Sequence, residues 1–129
     1  MHRCVTQALA LLLPFVLAAP VAAQLQRNFP ATALRGELRV LQPPEVLVNG
    51  RPARLAPGAR IRGDDNMLLM SGAIAGQPLL VNYTLDTVGG VLDVWVLTAP
   101  ERARQPWPAT PEQAQSWSFD FSAQTWSRP

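Results

Sequence analysis

Leu79–Leu97, LLVNYTLDTVGGVLDVWVL, is the stretch whose reading decides the fold. It reads as a β-hairpin closed at Gly89-Gly90, because paired glycines supply the positive φ that tight hairpin turns require. An even-length turn places Val81, Tyr83 and Leu85 on one face with Leu92, Val94 and Val96, which makes that face wholly apolar. The opposite face then carries Asn82, Thr84 and Asp86 against Val91, Asp93 and Trp95. A slip of one residue would mix the two sets, so the pattern itself specifies the register. A two-stranded sheet with one buried face needs partner strands to be stable.

Upstream, Gly36–Leu41 (GELRVL) alternates with Leu38 and Val40 inward and reads as a first strand, which Pro43-Pro44 ends. Val46-Leu47-Val48 precedes Asn49-Gly50, the strongest short-range hairpin signal, and a second run follows. Pro52 donates no ladder hydrogen bond, which makes the return strand an edge. Ala56-Pro57-Gly58 reads as a turn, Ala59–Arg62 as a short strand with Ile61 inward, and Met67–Met70 (MLLM) as a short buried strand. The expected fold is all-β: a small meandering barrel or rolled antiparallel sheet of six to seven short strands over residues 34–98.

Residues 24–33 read as an extended N-terminal arm anchored by Phe29-Pro30. Residues 99–129 form a Pro/Trp-rich extension expected to pack on the barrel. In it, Thr98-Ala-Pro-Glu101 has the form of a capping box with proline in the first turn, which predicts a short helix over Ala99–Arg104. Thr110-Pro-Glu-Gln113 repeats the logic for a second helix ending near Trp117, and Ser118–Pro129 reads as a strand or small hairpin.

Residues 1–23 have the form of a secretory signal peptide. Arg3 precedes a Leu/Ala-rich run, and Val21-Ala22-Ala23 offers small residues before Gln24. Pro14, Pro20, Thr6 and Gln7 interrupt the apolar run and no charged cluster follows it, which disfavours a retained anchor. Cys4 lacks the Leu-rich box of a lipoprotein site. The expected location is therefore periplasmic or secreted, with no stable membrane insertion after cleavage. Removing 23 residues from 129 leaves 106, one small domain. That domain holds ten arginines and nine acids, so its charge supports no uniform basic patch for nucleic acid.

The expected mature chain contains no His, Cys or Lys. Histidine-activated nucleophiles, lysine Schiff bases and imidazole or thiolate metal sites are thereby excluded. No catalytic residue, metal site or cofactor is implied. Asp64, Asp65, Asp86, Asp93 and Asp120 are the acids from which a glycosidase pair could be drawn, although the first three sit where turns place acids anyway. Gly63-Asp64-Asp65-Asn66 lacks the spacing of a calcium loop and reads as a solvated turn. Asn82-Tyr83-Thr84 matches a glycosylation sequon by chance, inside a strand.

Aromatic residues carry the remaining signal. Trp107, Trp117 and Trp126 fall in the last 23 residues with Phe119 and Phe121. One reading has the tail wrap the barrel and cover an edge. The other makes Trp95, Asn82, Thr84, Trp107, Trp117 and Trp126 a binding face with Arg at its rim, with Trp95 as the leading candidate.

The order of the V-x-V-N-G hairpin (Val46–Gly50), the P-G-A-R-I turn (Pro57–Ile61), G-Q-P (Gly76–Pro78) and V-W-V-L (Val94–Leu97) resembles small exported bacterial proteins of unknown function. It is also similar to OB-like or SH3-like barrels of envelope proteins. This resemblance covers Leu34–Leu97 and implies a barrel that binds oligomeric ligands on one face. Together these features lead to an expected non-catalytic binding or accessory module whose partner is an envelope protein, peptide or glycan. The alternatives are a carboxylate-dependent glycan hydrolase and a structural subunit that pairs through a sheet edge, so the oligomeric state stays open.

Overall fold

The computed structural model describes residues 26–129 together with Leu11, Leu12 and Pro14. The expected leader and its cleavage point therefore lie outside the described residues, those three apart. Eight strands and two short helices follow in the order β1 (Leu34–Val40), β2 (Glu45–Val48), β3 (Arg51–Arg62), β4 (Leu68–Leu69), β5 (Leu79–Leu85), β6 (Val91–Val96), α1 (Ala99–Arg102), α2 (Pro111–Ser116), β7 (Ser118–Asp120) and β8 (Thr125–Ser127). A 3-10 turn, Ser71–Ile74, joins β4 to β5 and buries Ile74.

The protein is a small all-β barrel. Its sheet runs β2-β1-β5-β6-β3 and closes because β3 also pairs with β2; β4 is appended to β3. Closure pairs the five barrel strands on both sides, while the appended β4 keeps an outer edge. The Asn49-Gly50 turn forms as read: both residues have positive φ, 53° and 78°, and Val48 pairs with Arg51.

Three local expectations are corrected. The sheet is not wholly antiparallel, since β3 and β6 run parallel. Nor does β3 turn at Ala56-Pro57-Gly58. It is continuous for 12 residues, and it advances from 55 to 60 while β6 advances only from 91 to 93. Pro57 and the positive φ of Gly58 thus make a bulge that bends one strand across two partners. Pro52 lies in the part of β3 whose pairing is with β2 alone, where the missing N–H is tolerated. Met67–Met70 is not a buried strand: Met67, Leu68 and Met70 are 67%, 67% and 79% exposed. β4 pairs with β3 only at Ile61 and Arg62, so a single side chain, Leu69, turns toward the core.

The hairpin of Leu79–Leu97 keeps its register near the open end, where Val81 faces Val96, Asn82 faces Trp95 and Tyr83 faces Val94. Toward the turn the register shifts and Leu85 pairs with Val91. Val91 is consequently core and Leu92 only half-buried, the reverse of the alternation, while Leu85 is exposed. Asp86 drives this turn: its Oδ1 accepts from the Val88 and Gly90 amides. Gly90 lies so close to the β3 bulge that a Cβ there would meet Ala56 at 3.0 Å.

Inside the barrel, Leu34, Leu38, Val40, Val46, Ile61, Val81, Tyr83, Val91 and Val94 form an aliphatic core. A second core lies outside it, made of Phe29, Ala33, Leu97, Trp107 and Trp126, with Trp95, Trp117 and Phe119 packed against it. Helix α1 is shorter than expected at four residues, but its capping box is complete: Thr98 Oγ1 accepts from the Glu101 amide and Glu101 accepts from the Thr98 amide. Thr110 Oγ1 likewise accepts from the Gln113 amide at the start of α2, while the Gln113 side chain accepts from the Ala109 amide.

Candidate functional site

The outer face of the barrel carries one cross-strand row. Arg35 on β1 lies opposite Asn82 on β5, Asn82 opposite Trp95 on β6, and Trp95 opposite Arg62 on β3. This is the polar face of the opening hairpin, and both chain ends settle on it. From the arm, Phe29 meets Trp95 at 5.4 Å and Trp107 at 5.8 Å, edge to face. From the tail, Trp107 meets Trp126 at 6.1 Å, and Phe119 stacks on Trp126 at 4.6 Å. Gln124 fixes the arm to the tail by accepting from the Phe29 amide (2.8 Å) and donating to the Phe29 and Phe121 carbonyls.

Beside this layer lies a buried ion pair. Arg27 donates from Nε to Glu101 Oε2 at 3.0 Å and from its terminal nitrogens to Glu101 Oε1 and the Gly63 and Val96 carbonyls. The side chains are 6% and 3% exposed. Burial alone would raise the Glu101 carboxyl, but the bonds from Arg27 and Thr98 together hold it below the ordinary carboxylate range. The pair thus ties four elements together: Arg27 joins the arm to the end of β3 and to β6, and Glu101 joins it to α1.

The expected site residues divide accordingly. Asn82 and Thr84 are buried, and so are Trp107 and Trp126; Trp95 and Trp117 are half-buried. Thr84 is engaged with Asp93, donating to its carboxylate and accepting from its amide. Trp95 lies beneath the arm, and Trp126 is core of the second layer. These residues present no shared open face to a ligand. Asn82, Trp107 and Trp117 instead support arginines that do reach a surface.

That surface is a cleft of about 490 Å³ lined by Arg35, Gln105, Pro106, Trp107 and Arg128. The Arg35 guanidinium lies over the Trp107 ring at 4.9 Å and donates to Asn82 Oδ1 (3.1 Å), the Arg104 carbonyl (2.6 Å) and the Glu101 carbonyl (3.1 Å). Two of its five N–H groups are left over. Burial pushes its pKa down to about 10, Glu101 opposing and Arg104 adding to that shift, so it remains cationic at neutral pH. Arg128 lies over Trp117 at 5.2 Å, is exposed, and makes no ion pair among the described residues. The cleft lining contains no acid. Arg35 bonds the backbone carbonyl of Glu101, whose carboxylate is held by Arg27 and the Thr98 amide.

The sequence reading overlooked Arg27, Arg35, Gln105 and Arg128. The strand expected from Gly36 begins at Leu34, which brings Arg35 into the sheet. Its signal was available in retrospect: an arginine in strand register beside Asn82, with tryptophans in the tail to cover it. The capping box of Glu101 was legible, but not its second role as the partner of Arg27, 74 residues away.

The acids are elsewhere. Asp65 accepts from the Met67 amide, Asp86 from Val88 and Gly90, and Asp120 from Ala123. Each holds a turn. No group of three or more His, Cys, Asp or Glu among the described residues is placed to hold a metal ion, and none of their helices is long and apolar enough to cross a membrane. Comparison with known proteins finds no matching family model, no similar curated protein and no similar solved structure.

Proposed function

We propose that this chain is an exported, non-catalytic binding module that takes an anionic group of an envelope ligand in the Arg35–Arg128 cleft. The observation that carries the reading is the cationic surplus there: two guanidiniums, each backed by an indole ring, with no acid in the lining. Guanidinium forks recognise carboxylate and phosphate oxygens by paired, charge-assisted hydrogen bonds. The cleft offers no nucleophile or general base, which favours binding over turnover. A glycan hydrolase gains no support, since an Asp or Glu lines none of the four clefts at Arg35, Leu85, Pro57 or Asn49.

An OB-like identity for the barrel belongs to the same proposal. Its support is the closed order β1-β2-β3-β6-β5 with a single parallel pair. Such barrels lend themselves to ligand binding on one face, but function follows from the site. Export rests on the sequence of residues 1–23.

The test is a titration of ¹⁵N-labelled protein, lacking residues 1–23, with tetragalacturonate and with its neutral counterpart tetragalactose. Shifts confined to residues 104–107, Arg128 and the Trp107 indole, seen with the acid alone and weakened about tenfold by Arg128→Ala, are expected for the loss of one charge-assisted bond. Equal shifts with both sugars, or none in the cleft with any anionic probe, overturn the reading. A second reading, a subunit pairing through a sheet edge, is favoured by exposed Leu68 on the outermost strand, β4, and by exposed Met67 and Met70 on either side of it. Light scattering after size exclusion separates the two, because a dimer dispersed by Leu68→Lys supports edge pairing.

A further inference from the structure

Resting on the anionic-cleft reading, we infer that the group recognised is the free carboxylate of a peptide chain end and not the acid of a glycan. Acidic glycans are normally gripped by a cation together with an open aromatic face on which a sugar ring lies. Trp107 is the aromatic residue in the lining of this cleft, and its face is taken. The Arg35 guanidinium covers Trp107, which is only 7% exposed, and Arg128 covers Trp117. Trp107 therefore offers no open platform for a sugar in the cleft.

What remains open suits a short peptide. The wall of the cleft is Gln105-Pro106, in the extended segment that follows α1. Its amide side chain offers both a donor and an acceptor to a peptide group, and the proline gives an apolar surface for a small side chain. A planar carboxylate matches the two N–H groups that Arg35 retains and the guanidinium fork of Arg128, which makes no ion pair among the described residues. The open cleft of about 490 Å³ has room for the last few residues of a chain.

The deciding experiment uses three probes on the protein lacking residues 1–23: N-acetyl-tetra-alanine as the free acid, the same peptide as its C-terminal amide, and tetragalacturonate. Binding is read from the Trp107 indole N–H and the Arg128 amide. The inference expects the free acid to bind at least tenfold more tightly than the amide and more tightly than the galacturonate. Arg128→Ala should remove that preference, and Arg128→Lys, which restores charge but not the planar fork, should recover only part of it. If acid and amide bind alike, or if galacturonate binds best, the chain-end inference is overturned. In the latter case the anionic cleft itself survives. If no probe binds there, both fall.

Discussion

Leu38, Val40, Val46, Val81 and Val94 face the barrel interior because alternate residues of a strand share a face, and closure of the sheet brings those faces together. Phe29, Leu97, Trp107 and Trp126 meet on the outside by another route. Phe29 comes from the arm and Trp107 and Trp126 from the tail, and these rings interlock edge to face against Leu97 at the end of β6. The first core is built from neighbours in a repeating pattern. The second is assembled across as many as 95 residues, through Gln124 and the Phe29 backbone. The contrast teaches that the barrel specifies itself, while the outer layer depends on a few long-range ties that can be cut one at a time.

The largest expected effect comes from cutting the tie at Glu101. Glu101→Ala leaves the Arg27 charge buried without a partner and should lower stability by about 3–5 kcal/mol in denaturant titration. If the two layers are separable, hydrogen exchange will accelerate in residues 26–33 and 99–129 while β1, β5 and β6 stay protected. Uniform loss of protection would mean that barrel and outer layer unfold as one unit. The same carboxylate sets a pH dependence. Its folded pKa is depressed, so its contribution is fully present above the unfolded glutamate value, about 4.3, and is lost as pH falls through the lower folded value. Glu101→Gln should flatten that acid-side loss. An unchanged acid limb in the variant would place the dependence on another group.

Leu38→Ala strikes the other core. Leu38 is 1% exposed, and truncation should cost about 2–5 kcal/mol, with protection lost across all barrel strands at once. A variant that loosened only the arm and tail would contradict the division drawn between the two cores.

Within the outer layer, Trp107 and Trp126 offer a finer comparison. Trp107 Nε1 donates to the Ala33 carbonyl at 3.0 Å, whereas Trp126 Nε1 is buried with no partner among the described residues. Trp107→Phe strands a buried carbonyl and should be about 1–3 kcal/mol more destabilising than Trp126→Phe. Thermal or urea unfolding of the two variants measures the difference, and equal losses would show that ring volume alone decides.

These tests follow the line between what was legible in the sequence and what was not. Alternation in Leu79–Leu97 and Asn49-Gly50 marked the barrel because strand pairing is a local, periodic problem. Even there, the pairing of Leu85 with Val91 escaped, since the register depends on Asp86 capping the turn as well as on the side-chain pattern. The β3 bulge escaped for a related reason: Pro57-Gly58 has the same chemistry in a turn and in a bend. Of the candidate site, the tail aromatics were visible and their crowding near Trp95 was foreseeable. Which guanidinium each ring would carry was not, because Arg35 and Trp107 are joined only after the tail folds back over β1.

Surface charge closes the series with the smallest effect, and it checks that the Arg27–Glu101 pair draws its strength from burial and not from being an ion pair. Arg54 and Glu45 face each other across β3 and β2 at 3.5 Å, with 68% and 53% of their side chains exposed. Water screens that pair and both long side chains lose freedom in forming it. Arg54→Ala should therefore cost only about 0.2–1 kcal/mol and fade in high salt. The same substitution logic applied to Glu101 should be nearly insensitive to salt, because the partners there are shielded from it. If both variants lost the same stability, or both responded to salt alike, burial would not be what distinguishes the tie holding the outer layer from an ordinary surface contact on the barrel.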